Sequence, residues 1–257
     1  MNIDLVIQGP YTDFTDEVIS SYTKLSFVNK IIVSCWEIDK EQSVFFDKVE
    51  FVRSPSYQKY PGPANVNLQL TTSLTGVKRT SSNLVAKFRS DQLFNLEGIE
   101  QMYNFFMSNL KDERIFIVGN IFDLLFHPKD WVYWGYRSDM INLFDPPHEI
   151  NEVCERMGIN SSNYSGAMNL FTRPETYIGA HYCSRFDERV KKMVDNENQY
   201  LYDQAPNWNE AKKVSDEVTP KYFKSFPRKD IHMIWPKRNI YCLPFDPTNE
   251  GWDEEGF

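Results

Sequence analysis

Apolar positions in the first half of the chain alternate between two rhythms. Short, mostly apolar runs occur at Ile3-Asp4-Leu5-Val6-Ile7-Gln8, Lys30-Ile31-Ile32-Val33-Ser34-Cys35, Val49-Glu50-Phe51-Val52-Arg53, Leu84 to Asp91, and Arg114-Ile115-Phe116-Ile117-Val118. Runs of this length suit buried strands of a parallel sheet. Other stretches carry the wider spacing of a single helix face. Phe14, Val18, Tyr22 and Leu25 mark one face, with Asp13 or Thr15 in place to cap it. Val66, Leu70, Leu74 and Val77 mark a second within Ala64 to Arg79; Leu96, Ile99, Tyr103, Phe106 and Leu110 mark a third. Residues 1–118 therefore predict strand, helix, strand, strand, helix, strand, helix, strand. That order predicts an α/β fold with a mainly parallel central sheet flanked by helices.

In such sheets ligands bind beyond the carboxyl ends of the strands. The residues there are Gln8-Gly9-Pro10, Trp36-Glu37 and Arg89-Ser90-Asp91. The run from Leu84 to Asp91 is unusual in its charge. With a side-chain period of two, Leu84, Ala86 and Phe88 share one face, and Val85, Lys87, Arg89 and Asp91 share the other. Two cations and a carboxylate are costly to bury without partners. Two readings are open: a site for an anionic ligand with a divalent cation on Asp91, or a structural ion-pair cluster at a sheet end. The chain has neither a GxGxxG nor a GxxxxGK[ST] pattern. A nucleotide would thus be held by Lys87, Arg89 and a metal on Asp91.

The second half is less regular. His127-Pro128-Lys129-Asp130-Trp131-Val132-Tyr133-Trp134-Gly135 sets aromatic beside polar residues. Trp131, Tyr133 and Trp134 suit a wall on which sugar faces stack, or ordinary core packing. Ser138 to Phe144 predicts a short helix, and Pro174 opens another at a first-turn position. From Pro244 onward prolines, glycines and acids predict an exposed arm. We expect one domain, with a nucleotide-binding half over 1–118, an acceptor half over 119–245 and an acidic tail over 246–257.

Composition narrows the possibilities. The 257 residues are 41% hydrophobic and 15% aromatic, enough for a sizeable core. A formal net charge of −8 argues against nucleic-acid binding and leaves room for a phosphorylated small molecule in a local basic pocket. The N-terminus lacks a signal-peptide pattern and no apolar run is long enough to span a bilayer, so a cytoplasmic protein is expected. Cys35, Cys154, Cys183 and Cys242 are scattered without CxxC spacing, which predicts reduced thiols.

Several pieces, in order, resemble the WavE lipopolysaccharide-synthesis family of glycosyltransferases: Val6-Ile7-Gln8-Gly9-Pro10, Ile31 to Glu37, Asn65 to Leu70, Ala86 to Asp91, Asp130-Trp131 with Gly135, Pro174-Glu175-Thr176-Tyr177, and Pro236-Lys237-Arg238. The resemblance implies a GT-A-like single domain, a nucleotide-sugar donor and commonly Mn²⁺ or Mg²⁺ held by an Asp-x-Asp motif. It makes Asp91 the metal and diphosphate anchor, with Arg89 standing where the motif's first acid would be. An arginine there binds phosphate bidentately. It also implies that Gln8, Gly9 and Pro10 line nucleobase and ribose, that Trp36 and Glu37 lie at the next strand end, and that Asn67 reaches the donor from its helix.

Glycosyl transfer needs the leaving diphosphate neutralised. An inverting enzyme also needs a positioned acid to deprotonate the acceptor hydroxyl. Asp139, Glu175 and Asp203 are the acids considered for that base; Asp139 and Glu175 also fit as helix-start acids. His127, His181 and His232 are possible further metal ligands, with His127 nearest the expected acceptor side. The acceptor would be a glycan or lipid-linked glycan, met through peripheral membrane contact. Two other functions remain open. A sugar-phosphate nucleotidyltransferase could use a similar sheet, although it usually needs a glycine- and basic-rich loop after the first strand. A non-catalytic glycan-binding module would use the aromatic stretch.

Overall fold

The structure is a computed structural model. It describes residues 1–41, 46–55, 65–119, 125–146, 174–196, 207–226 and 231–236, together with the backbone of 240–244. Along the chain the elements are β1 (Ile3–Gln8), α1 (Asp13–Tyr22), β2 (Val28–Trp36), β3 (Val49–Ser54), α2 (Val66–Lys78), β4 (Leu84–Arg89), β5 (Leu93–Phe94), α3 (Leu96–Ser108), β6 (Ile115–Ile117), β7 (Val132–Tyr136), α4 (Arg137–Phe144), α5 (Pro174–Ser184), α6 (Glu188–Asp195), α7 (Asn207–Tyr222), β8 (Phe223–Ser225), β9 (His232–Trp235) and β10 (Ile240–Pro244). The alternation expected over 1–118 is present, with one strand more than expected: β5, between β4 and α3. Two boundaries shift: Leu25 is buried just past the end of α1, and Leu110 lies beyond α3. Thr12 takes the N-cap position of α1, and its N–H donates to Thr15 Oγ1 at 3.0 Å.

The main sheet has the order β3-β2-β1-β4-β7-β6-β8. β1 runs parallel to β2 and β4, β2 to β3, and β6 to β8. β7 is antiparallel to both its neighbours, β4 and β6. The sheet is therefore mixed and mostly parallel. Here the structure corrects the sugar-wall reading of the aromatic stretch. Val132-Tyr133-Trp134-Gly135-Tyr136 is a central strand, with Tyr133 opposite Lys87 and Trp134 opposite Ala86. Aromatic and β-branched residues fit a pleated surface buried on both sides. Trp134 packs against Phe88 and Phe106 on one face, and Tyr133 against Phe144 on the other. Both are fully buried.

Two apolar layers follow from the period of the strands. Leu5, Ile7, Ala86, Phe88 and Trp134 meet Val18, Tyr22, Ile99 and Phe106 of α1 and α3. Val6, Val85, Ile117 and Tyr133 meet Leu70, Val77, Met140, Ile178 and Val218 of α2, α4, α5 and α7. Asp4 interrupts the apolar β1 and is fully buried. Its carboxylate accepts from the backbone N–H of Ser81 and Ser82 at 2.6 and 2.9 Å, from Ser82 Oγ at 2.8 Å and from Asn29 Nδ2 at 3.0 Å. Burial works against its charge, but these donors outweigh it and hold its pKa below the usual value. Asp4 thus ties the turn before β4 to β1, at the amino ends of these strands.

β5, β9 and β10 form a second, antiparallel sheet in the order β10-β9-β5. β5 follows Asp91 after one intervening residue, so β9 is drawn to the rim of the main sheet and brings Trp235 with it. Among the described residues, no helix is long and apolar enough to cross a membrane. Cys35 and Cys183 are buried free thiols, while the side chains of Cys154 and Cys242 lie outside the described residues.

Candidate functional site

The carboxyl ends of β1 and β4 lie side by side, with Gln8 opposite Arg89. Gly9 leaves β1 with φ +132°, a conformation L side chains rarely adopt. A Cβ on it would stand 2.5 Å from Ser90 Oγ. The two chains then lock together. Ser90 N donates to Gln8 O at 2.9 Å and Ser90 Oγ to Pro10 O at 2.9 Å. Gln8 Nε2 donates to Thr72 Oγ1 at 2.9 Å, fixing the amide against α2.

Direction decides what else reaches this rim. Because β7 runs against β4, its amino end, Asp130-Trp131, arrives beside the carboxyl end of β4. The approach to that strand is tightly held. Phe126 N donates to Ser215 Oγ at 2.7 Å, and Tyr133 donates its hydroxyl to Pro128 O at 2.9 Å. Gly179 of α5 sits so close that an added Cβ would be 2.0 Å from Phe126 O.

Arg89 is the hub of the resulting charge cluster. Its Nε and Nη2 donate to the two oxygens of Asp91 at 2.9 and 3.0 Å, and its Nη1 donates to Asp130 Oδ2 at 2.7 Å. Gln69 Nε2 donates to the same Asp130 oxygen at 3.0 Å. Lys87 is fully buried below them, with Nζ donating to Asp130 O at 2.9 Å. Trp235 Nε1 donates to Asp91 Oδ2 at 3.2 Å, and the guanidinium lies 5.4 Å from the centre of the Trp235 ring. Burial pushes Lys87 down to about 8, helped by Arg89 and opposed by Asp130, Asp91 and Glu175. Burial works against ionised Asp130 too, but Arg89 and Lys87 prevail and hold it below the usual carboxylate range. The same carboxylates outweigh burial for Arg89 and keep it charged.

Above this cluster opens a cleft of about 460 Å³, within the size of small-molecule sites. Gln8, Gly9, Pro10, Thr12 and Phe14 line it from β1 and α1, and Trp36 from β2. Asn65, Leu68 and Gln69 line it from the start of α2, and Arg89, Ser90, Asp91 and Pro236 complete it. The first turn of α2 carries no acidic residue, so its positive end is not offset there.

Of the sequence-derived donor residues, Gln8, Gly9, Pro10, Trp36, Arg89 and Asp91 line this cleft, and Lys87 supports it from beneath. Asn67 and Glu37 do not line it. Leu68 and Gln69 face the cleft from α2, with Asn65 just before the helix, and Asn67 points away from them at 4% exposure. Glu37 turns outward, its N–H bonded to Ser54 O. Tyr133 and Trp134 are core residues, as described above. Trp131 alone of the three aromatics reaches the rim, edge-on to Trp235 at 6.0 Å.

Asp139 lies in the first turn of α4, beyond the carboxyl end of β7, at the opposite end of the sheet. Its neighbour Arg137 bonds Asn83 O and Lys78 O there. An all-parallel sheet would have placed it at the rim; the reversal of β7 sends it away. Glu175 is in the first turn of α5, next to Thr176, which meets His127 ahead of β7, and it acts electrostatically on Lys87 and Tyr133. Asp203 lies outside the described residues. His127 is buried with Nδ1 3.0 Å from Thr176 Oγ1. His181 is pushed down to about 4 by burial and Arg185, and stays neutral.

A divalent ion does not fit these side chains as they stand. Among the described residues, no three His, Cys, Asp or Glu side chains gather to hold a metal. Both oxygens of Asp91 already accept from Arg89. An ion held by one carboxylate and substrate phosphates would have to take Asp91 from Arg89.

Three participants, Asp130, Gln69 and Trp235, have no site role in the sequence reading. Asp130 was visible only as part of a short family-like piece, Gln69 as a neighbour of Asn67, and Trp235 as the residue before Pro236-Lys237-Arg238. No local spacing links them to Arg89, because each arrives from a different element.

Comparisons with known proteins give the following. Among curated proteins none matches the chain. Among solved structures it is similar to Francisella tularensis 2-C-methyl-D-erythritol 4-phosphate cytidylyltransferase (IspD), at 10% identity and TM-score 0.39 over 62% of this chain and 80% of that one. It is similar to HddC from Yersinia pseudotuberculosis, at 14% identity and TM-score 0.39 over 58% and 81%. It is also similar to S. aureus TarS, at 11% identity and TM-score 0.42 over 71% of this chain and 33% of that one. The WavE lipopolysaccharide synthesis family matches residues 3–212, most of the chain, and the chain belongs to that family.

Proposed function

We propose that the chain is a GT-A-like glycosyltransferase that moves a sugar from a nucleotide-sugar donor to a glycan or lipid-linked acceptor in lipopolysaccharide-type synthesis. The observation that carries this reading is the cleft at the carboxyl ends of β1, β2 and β4, with the Arg89 guanidinium in its wall. A nucleoside would lie along Gln8, Gly9, Pro10 and Trp36, and its diphosphate would face Arg89. Arg89, with Lys87 behind it, stabilises negative charge developing on the leaving diphosphate. Of the acids considered for the base, Glu175 is the one that acts electrostatically on Lys87, and we propose it for deprotonating the acceptor hydroxyl.

The test is a melting-temperature titration with nucleoside diphosphates and nucleotide sugars, with and without Mn²⁺ or Mg²⁺. A ligand that binds only the native state raises the melting temperature. One nucleotide family should raise it, and the matching nucleotide sugar should then be consumed with an acceptor present. No response to any nucleotide would overturn the proposal. Pyrophosphate release from a nucleoside triphosphate and a sugar phosphate would replace it with nucleotidyl transfer.

A further inference from the structure

The two carboxylates on Arg89 differ in how they are held. Asp130 is 5% exposed, shares its Oδ2 with Gln69, and has its main-chain oxygen on Lys87. It is fixed from three elements: β4, α2 and the entry to β7. Asp91 is 28% exposed, lines the cleft, and sits in the turn between β4 and β5. It fills the Nε and Nη2 edge of the guanidinium in the two-point geometry that carboxylates and phosphates share. It accepts from Arg89 and from the indole N–H of Trp235.

We propose that Asp91 is an exchangeable internal occupant of an anion site. In the ligand-free chain it fills the fork of Arg89, and a ligand diphosphate displaces it from there, while Asp130 keeps the guanidinium aimed at the cleft. The exchange frees Asp91 from Trp235 as well, so the rim strand β9 is coupled to ligand arrival through the Trp235–Asp91 hydrogen bond. This deepens the glycosyltransferase reading and rests on it for the identity of the ligand; the exchange itself requires only a diphosphate. It also inverts the role expected for Asp91. A carboxylate that anchors a metal aids diphosphate binding, whereas one that occupies the guanidinium competes with it.

The experiment is calorimetric titration of the full chain with inorganic pyrophosphate in EDTA, comparing wild type, Asp91→Asn, Trp235→Phe and Arg89→Gln. Asp91→Asn should bind pyrophosphate at least roughly tenfold more tightly than wild type, since a charged two-point competitor is gone. Trp235→Phe keeps an aromatic ring under Arg89 but loses the indole N–H on Asp91, and should tighten binding by a smaller factor. Arg89→Gln should lose binding. Opposite signs for Asp91 and Arg89 are a signature that a merely structural pair would not give. Unchanged or weaker binding in Asp91→Asn, with Trp235→Phe also unchanged, would overturn the exchange. If wild type responds to nucleoside diphosphates while Asp91→Asn shows no gain, the exchange fails and the glycosyltransferase reading stands. If Asp91→Asn gains pyrophosphate affinity while no nucleotide raises the melting temperature, the exchange stands and the glycosyltransferase reading fails.

Discussion

Arg89 Nη1 stands 2.7 Å from Asp130 Oδ2, although 41 positions separate the two residues in sequence. The contact exists because β7 runs antiparallel to β4, which brings the residue before β7 to the carboxyl end of β4. It joins the entry of one central strand to the exit of its neighbour.

Asp130→Ala should therefore cost stability as well as ligand binding. It leaves Gln69 and one edge of Arg89 without their acceptor at a buried position. Removing one partner of a buried ion pair costs about 3 kcal/mol or more; the retained Asp91 contact sets the expectation at about 2–3 kcal/mol. Urea unfolding should show a lower midpoint at unchanged slope. Asp139→Ala, at the other end of the sheet, should leave nucleotide affinity at the wild-type value. A loss of affinity there would contradict the placement of α4.

Gly9→Ala should destabilise by about 1–3 kcal/mol, because a φ of +132° is strained for any L side chain and the new Cβ meets Ser90 Oγ. A Ser90→Ala background removes the hydroxyl but leaves the backbone strain. The double variant should thus recover only part of the loss relative to Ser90→Ala alone. Full recovery would show that crowding, and not φ, fixes glycine at this turn.

Acid should weaken the chain through Asp4. Its pKa is lower folded than unfolded, so its stabilisation is fully present above the unfolded value of about 4 and is lost as pH falls through the folded value. Asp4→Asn should cost about 2 kcal/mol or more at pH 7, since an amide nitrogen cannot accept from the Ser81 and Ser82 donors. The gap between wild type and variant should narrow as pH falls below about 4. A gap independent of pH would remove Asp4 as an acid-sensitive tie.

The sequence by itself determined the helices and strands of residues 1–118 apart from β5, and three of the segments that line the cleft. That information is local: period two or period 3.6, a glycine-proline stop, and charges at a strand end. The ion-pair reading of the Lys87–Asp91 stretch is present in the structure as the Arg89–Asp91 pair, which lines the cleft. Tertiary structure alone decided the direction of β7. Alternation in Val132-Tyr133-Trp134-Gly135-Tyr136 shows that side chains point to both faces, but it is the same read forwards or backwards. Pairing partners set the direction, and the direction put Asp130 at the rim, Asp139 at the far end, and Tyr133 and Trp134 in the core. Helix phase likewise separated Gln69 from Asn67, two residues apart yet on different faces of α2. Trp235 reached Asp91 only because β9 pairs with β5, a contact across more than a hundred residues that no local pattern encodes.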